Sequence, residues 1–239
     1  MKLLNVCFLA LHLITGCSEK SVTQPSVYSE TEGLLISTIS KYSNEGIPAF
    51  TGPEKVWFIG NEIIKEIGLM DFRIDTNGVQ TVKVYITHYA YINYDKKQFS
   101  LFHTFSDTAK SFKTYPTLDS LYEYAGGDFF KNSQKPLDSV IAIKALPDTL
   151  IKDVLYQRKR YTKRWRNQDY ISIVYFRCDR PNSRFSIFKN TIDSCSAVKK
   201  IDFMNDGVTL EGGHEKDFIR DSLTAAERKV FEAWRKQMQ

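Results

Sequence analysis

Residues 82–93 read Val-Lys-Val-Tyr-Ile-Thr-His-Tyr-Ala-Tyr-Ile-Asn, and their period is two. Val82, Val84, Ile86, His88, Ala90 and Ile92 alternate with Lys83, Tyr85, Thr87, Tyr89, Tyr91 and Asn93. Successive side chains of a strand point to opposite faces, so the pattern predicts a strand with one apolar face. A second run follows, with Phe99, Leu101, His103 and Phe105 alternating with Ser100, Phe102, Thr104 and Ser106. Asp95-Lys96-Lys97 lies between the runs, and together they predict a hairpin. A slip of one residue would flip every side chain, so the loop must be even. That register sets Ile92 against Phe99 and Ala90 against Leu101, and brings His88 opposite His103.

Working outward, helical patterns flank this hairpin. A helix is expected over 28–43. Another is expected over 54–69, with Pro53 near its first turn and Val56, Trp57, Ile63, Ile64 and Ile67 as its apolar positions. Further on, a helix is expected over 117–130 and a strand over 139–145. A long helix is expected over 148–167, with Asp148 as N-cap. Strands over 171–178 and 184–188 flank an Arg180-Pro181-Asn182 turn. A hairpin over 198–203 and 208–211 turns at Asn205-Asp206-Gly207. Thr224 and Glu227 form a capping-box pattern for a last helix, whose apolar stripe is Leu223, Val230, Phe231 and Trp234. No internal repeat is visible. Helices and strands intermix without regular βαβ alternation. The expected class is therefore α+β, an antiparallel sheet packed with several helices, as a single domain over 28–239.

Composition agrees with a folded chain. The 239 residues are 42% apolar, 13% aromatic and 26% charged, with a formal net charge of +5. This excludes intrinsic disorder, and Gly 12 and Pro 7 exclude collagen-like and low-complexity chains.

The N-terminus carries a targeting signal. Lys2 is followed by an apolar run over 3–14, then Thr15, Gly16 and Cys17. The run is roughly half the ~20 residues a helix needs to cross a bilayer, so it reads as a secretory signal. Ile14-Thr15-Gly16-Cys17 resembles the lipobox of bacterial lipoproteins. The resemblance implies cleavage before Cys17 and acylation of that cysteine, leaving residues 1–16 as the signal peptide. It covers these first 17 residues and says nothing of the fold. Ser18 is not the Asp that retains such lipoproteins at the inner membrane. Outer-membrane residence is therefore implied, on the periplasmic or the surface side. Residues 17–27 are polar, contain Pro25 and read as a flexible tether.

Past Cys7 and Cys17, Cys178 and Cys195 remain. An even pair in an oxidising compartment suits a disulfide, the alternative being two separate buried thiols.

Candidate chemistry is sparse. On a helical wheel, Lys152, Lys159, Lys163 and Arg166 line one face of the 148–167 segment, flanked by Arg160 and Arg164. Such a basic face suits an anionic partner: a lipid headgroup, lipopolysaccharide, an acidic glycan or an acidic protein surface. Nucleic acid is not expected for an exported lipoprotein. Tyr85, Tyr89 and Tyr91 form a candidate aromatic surface, or a second core layer beneath a helix. His214-Glu215-Lys216-Asp217-Phe218 opens like the HExxH metalloprotease motif, but Phe218 stands where the second His must be. A turn with solvated charges is the expected reading of that stretch. No metal site, cofactor or catalytic residue is assigned. The expected function is a membrane-anchored lipoprotein binding or scaffolding an envelope protein, glycan or other anionic partner. The bilayer is engaged through the acylated N-terminus. An envelope hydrolase using His214 or His103, and a toxin-neutralising immunity lipoprotein, are the alternatives.

Overall fold

The computed structural model describes residues 31–42, 48–74, 76, 80–121, 140–165, 168–180, 183–187, 195–203 and 210–239. The expected signal peptide, Cys17 and the expected tether lie outside these residues. So do Arg166, most of the 117–130 segment and the Asn205-Asp206-Gly207 turn.

The described residues form one 11-stranded sheet and one helix. The strands are β1 Glu32–Tyr42, β2 Pro48–Ile59, β3 Glu62–Ile74, β4 Gln80–Asn93, β5 Gln98–Phe102 and β6 Ser111–Tyr115. They continue with β7 Val140–Ile151, β8 Val154–Trp165, β9 Gln168–Arg177, β10 Ser196–Phe203 and β11 Leu210–Arg220. The helix α1 spans Ala225–Gln237. The sheet order is β6-β5-β4-β3-β2-β1-β11-β10-β9-β8-β7. Two meanders, β1 to β6 and β7 to β11, are joined by the antiparallel pairing of β1 with β11.

This overturns the α+β expectation, since three segments expected to be helical are strands. The 28–43 segment contributes β1. The 54–69 segment is a hairpin, β2 and β3, turning at Gly60-Asn61 with Gly60 at φ +52°. Its apolar positions are contiguous because both faces of the strands are covered: Trp57 and Ile64 belong to one core, Val56, Phe58 and Ile63 to another. A strand buried on both faces loses its alternation and looks like a buried helix. The 148–167 segment is the β7–β8 hairpin, with Ile151 paired to Val154 across the turn Lys152-Asp153. Both turn residues have positive φ, 50° and 63°, a conformation usually supplied by Asn-Gly. Around Pro181, β9 forms as expected, but residues 184–187 are turn and loop rather than a strand.

The opening hairpin is as expected. Ile92 pairs with Phe99 and Ala90 with Leu101, across the even loop 94–97. Residues of β10 and β11 also pair antiparallel.

The helix α1 covers one face of the first meander. Thr224 and Glu227 make the expected capping box. Val230, Phe231 and Trp234 pack on Leu34, Trp57, Ile64, Tyr91 and Phe102. The Trp234 indole stacks on Phe102 at 3.7 Å and donates to the Ser106 carbonyl at 2.8 Å. Ion pairs fasten both ends of the helix: Arg220 to Glu227, Arg228 to Glu32, and Arg235 to Glu62 at 2.7 Å. The far face carries a second core. Phe185 packs there against Leu35, Val56, Phe58 and Ile63, and Leu121 against Ala90, Ile92, Phe99 and Leu101. In the second meander Ile187 packs against Tyr161, Val174 and Phe176. The disulfide Cys178–Cys195 joins the end of β9 to the start of β10.

Candidate functional site: a basic row on the far face

Strand alternation decides where each expected site residue goes. In a helix Lys159, Lys163, Arg160 and Arg164 would share a side; in β8 they separate. Lys159 pairs with Val174 and Lys163 with Tyr170, on the far face. Arg160 pairs with Ile173 and Arg164 with Asp169, on the opposite face. Arg164 is exposed and bridges to Asp169 at 2.8 Å. Lys152 sits at the hairpin turn and reaches Asp217 at 3.5 Å. The single basic face expected of a helix therefore does not exist, because a period of two replaces a period of 3.6.

The tyrosines separate as well. Tyr91 is buried beneath Phe231 and Trp234, and Tyr89 is half-buried beside Trp57 and Phe105. A register shift between Ile67 and Gly68 inserts Thr87 into β4, so Tyr85 leaves the alternation and stands exposed opposite Leu69. His88 and His103 both pack on Phe112, edge-on at 6.1 Å and stacked at 4.1 Å. The β4–β5 ladder stops at Phe102, short of a His88–His103 pair.

What the strands do bring together is a row of polar side chains crossing the far face at the β1–β11 seam. Lys65 of β3 is buried and bridges to Glu54 of β2 at 3.1 Å. Ser37 of β1 stands opposite both Glu54 and Lys216. Lys216 of β11 is only 3% exposed. Two residues back, the His214 ring lies 3.4 Å from the Ser37 hydroxyl. His214 is opposite Lys200 of β10. Lys200 bridges to Asp202 at 2.5 Å, and the Ser172 hydroxyl of β9 donates to Asp202 at 2.6 Å. Lys163 of β8 closes the row, within electrostatic reach of Lys200 and Asp202.

The expectation of a solvated turn at His214 is thus corrected: Gly212, Gly213 and His214 lie inside β11, paired with both neighbours. Gly-Gly is a turn signal in sequence, yet in a strand it permits close backbone approach. Sequence reasoning missed Lys65, Lys200 and Lys216. The available signal was alternation: Lys200 and Asp202, and His214 and Lys216, are spaced by two.

Burial sets the chemistry of the row. Desolvation, helped by Lys65, pushes the Lys216 amine down to about 7. Desolvation, helped by Lys216, Lys200 and Lys65, pushes His214 down to about 3. Lys163 is lowered by burial and by Lys200, with Asp202 acting in the other direction. His214 is therefore neutral at pH 7. Among the described residues, no group of three or more His, Cys, Asp and Glu could hold a metal ion. None of their helices is long and apolar enough to cross a membrane.

The chain matches no family model, and no curated protein resembles it significantly.

Proposed function

We propose that this protein is a lipid-anchored lipoprotein of the bacterial envelope, held at the outer membrane through Cys17, whose sheet domain binds an anionic envelope partner. The lipobox-like residues 14–17 support the anchor. The observation that carries the binding reading is the row on the far face. Among the described residues, four lysines from four different strands, Lys65, Lys216, Lys200 and Lys163, line that face from β3 across to β8, with Glu54 bridged to Lys65 and Asp202 to Lys200. Gathering like charges in a desolvated place costs free energy, and folds that tolerate such a cost generally use it.

The test is the intact mass of protein extracted from bacterial membranes, followed by cross-linking in those membranes. The expected species runs from Cys17 to Gln239 plus acyl groups. The variant Lys163→Gln/Lys200→Gln is expected to lose the cross-linked adduct while keeping the lipidated Cys17 terminus. A species retaining residues 1–16 without lipid overturns the anchor. An adduct unchanged in the variant overturns the basic row.

A further inference from the structure

The end of the sheet where β7 turns into β8 presents a surface that the basic row does not use. We propose that the tip of this hairpin docks on the bilayer itself, with Leu150 and Leu155 entering the headgroup layer beside the Cys17 anchor. The proposal rests on the reading of Cys17 as a lipid anchor, and adds to it a second contact with the same membrane, made by side chains.

Three observations carry it. First, the tip is apolar and exposed. Leu150 pairs with Leu155, and Ile151 with Val154, on either side of the Lys152-Asp153 turn. Leu150 is 70% exposed, more than any other large apolar side chain among the described residues, and its partner Leu155 is 57% exposed. Paired leucines at a hairpin tip are costly in water and are stabilised at the boundary between headgroups and acyl chains. Second, the tip lies at the end of the sheet where the chain arrives. Four antiparallel pairings separate β1 from β8, so both strands run the same way and begin at the same end. Lys152 reaches Asp217 at 3.5 Å, and Asp217 pairs with Ile36, four residues into β1. This contact is on the face that carries α1, whereas Leu155 shares the far face with Tyr161, so the bend of the turn leaves the leucines on its outer side. Thr31 stands 14 residues after Cys17. A chain of that length spans at most about 50 Å, so an acylated Cys17 keeps this end of the sheet within that distance of the bilayer. Third, the hairpin is basic. Between residues 143 and 160 it carries Lys144, Lys152, Arg158, Lys159 and Arg160 against Asp148 and Asp153. Lys144 and Arg160, both exposed, stand directly opposite each other across the ladder, a like-charge pairing that costs stability. Anionic headgroups offset that repulsion, and their field extends over about 8–10 Å, so the cations attract them without touching a lipid. A second copy of the chain fits the same edge poorly, because Pro147 and the register shift between Leu146 and Thr149 interrupt β7. A second exposed apolar pair, Leu69 opposite Tyr85, lies towards the other end of the sheet, where β3 turns into β4. It supplies an internal control.

The experiment places an indole at each of the two exposed pairs. Full-length Leu155→Trp and Leu69→Trp proteins are extracted from bacterial membranes and reconstituted into vesicles of phosphatidylethanolamine and phosphatidylglycerol, with and without brominated acyl chains. Emission is read against the unsubstituted protein, and the intact mass of each preparation is taken. Brominated lipid is expected to quench the added indole of Leu155→Trp about twofold or more, and to leave that of Leu69→Trp unquenched. Replacing phosphatidylglycerol by phosphatidylcholine is expected to reduce the quenching, and quenching unchanged by that replacement overturns the electrostatic part. Leu150→Trp, at the paired position, repeats the reading if Leu155→Trp melts below the parent. No quenching at either tip position of an acylated protein overturns the docking and leaves the anchor standing. Quenching in a protein whose mass shows no acyl group keeps the docked tip and overturns the anchor. Equal quenching of Leu155→Trp and Leu69→Trp overturns the assignment of the tip. A blue-shifted but unquenched indole, in a protein that sediments as a dimer, overturns the bilayer in favour of a second copy.

Discussion

Lys216 of β11 stands directly opposite Ser37 of β1, in the ladder that joins the two meanders of the sheet. The join that completes the fold is therefore also the centre of its most costly polar cluster. Two residues along the same face of this ladder, towards the start of β1, Leu35 stands opposite Phe218. The basic row thus borders the apolar cluster of Leu35, Val56, Phe58 and Ile63 on the far face.

That burial makes stability depend on pH in a definite direction. The Lys216 amine is held near 7 in the fold, against the ordinary lysine value of 10.5 in the unfolded chain. Between these values the unfolded chain binds the extra proton, so stability rises with pH across the window. Below about 7 both states are protonated and the cost is present in full. Replacing Lys216 by Met is expected to stabilise the protein at pH 7 by about 1–4 kcal/mol. The gain should shrink towards pH 10. Urea unfolding of both proteins at pH 7 and pH 10 measures it, and a destabilised Met variant at pH 7 would contradict the buried-charge account.

The helix latch gives a slope of the same sign in a more acidic window. Against the desolvation that burial imposes, hydrogen bonds from Arg220, the Thr224 backbone and the Trp57 indole hold the Glu227 carboxyl down at about 2. Its contribution is present above the ordinary glutamate value of 4.5 and is lost as pH falls from 4.5 through 2. Glu227→Gln is expected to cost about 2 kcal/mol at pH 7 and almost nothing at pH 2. Thermal melts across that range check the convergence.

The Lys152-Asp153 turn distinguishes hairpin from helix. Both residues have positive φ, which non-glycine side chains adopt at a cost of about 1 kcal/mol each. Replacing the pair by Asn-Gly is expected to raise stability by about 1 kcal/mol. In a helix interior the same glycine would lower it by about 1 kcal/mol. The sign of the change in a urea melt decides.

The cover supplied by α1 rests on one side chain more than any other. Trp234 is fully buried, stacked on Phe102 and edge-on to Tyr91. Trp234→Ala is expected to cost about 3–5 kcal/mol. Hydrogen exchange should show the amides of α1 losing protection before those of β9 and β10.

The disulfide staples a neighbouring strand pair. Cys178 and Cys195 are 17 residues apart, and opening their bond is expected to cost about 3 kcal/mol. Urea midpoints with and without reductant measure it.

Local rules sufficed where their signal was local. The β4–β5 register follows from alternation because Ala90, Ile92, Phe99 and Leu101 bury one face only with an even loop. The capping box at Thr224 and Glu227 was legible because both of its partners lie within one turn of chain. The Cys178–Cys195 bridge was legible as a pairing because Cys7 and Cys17 are the other cysteines of the sequence and both fall in the segment expected to direct export.

What the sequence left undecided was the state of its doubly buried and basic stretches. Val56, Trp57 and Phe58 are apolar in succession because one face meets α1 and the other Phe185, and neither cover is visible from residues 54–69 themselves. Residues 151–165 fit an amphipathic helix by composition, and a Lys-Asp turn announces no hairpin. Their strand state comes from ladders to β7 and β9 on either side. Alternation pairs Lys200 with Asp202 and His214 with Lys216, but the assembly of the row was beyond sequence reach. Lys65, Lys163, Lys200 and Lys216 are up to 151 positions apart, and only the pairing of β1 with β11 sets the two meanders side by side. Alternation and capping are properties of neighbours along the chain, whereas a desolvated charge cluster belongs to neighbours across a sheet. The tertiary fold alone decides which lysines those are.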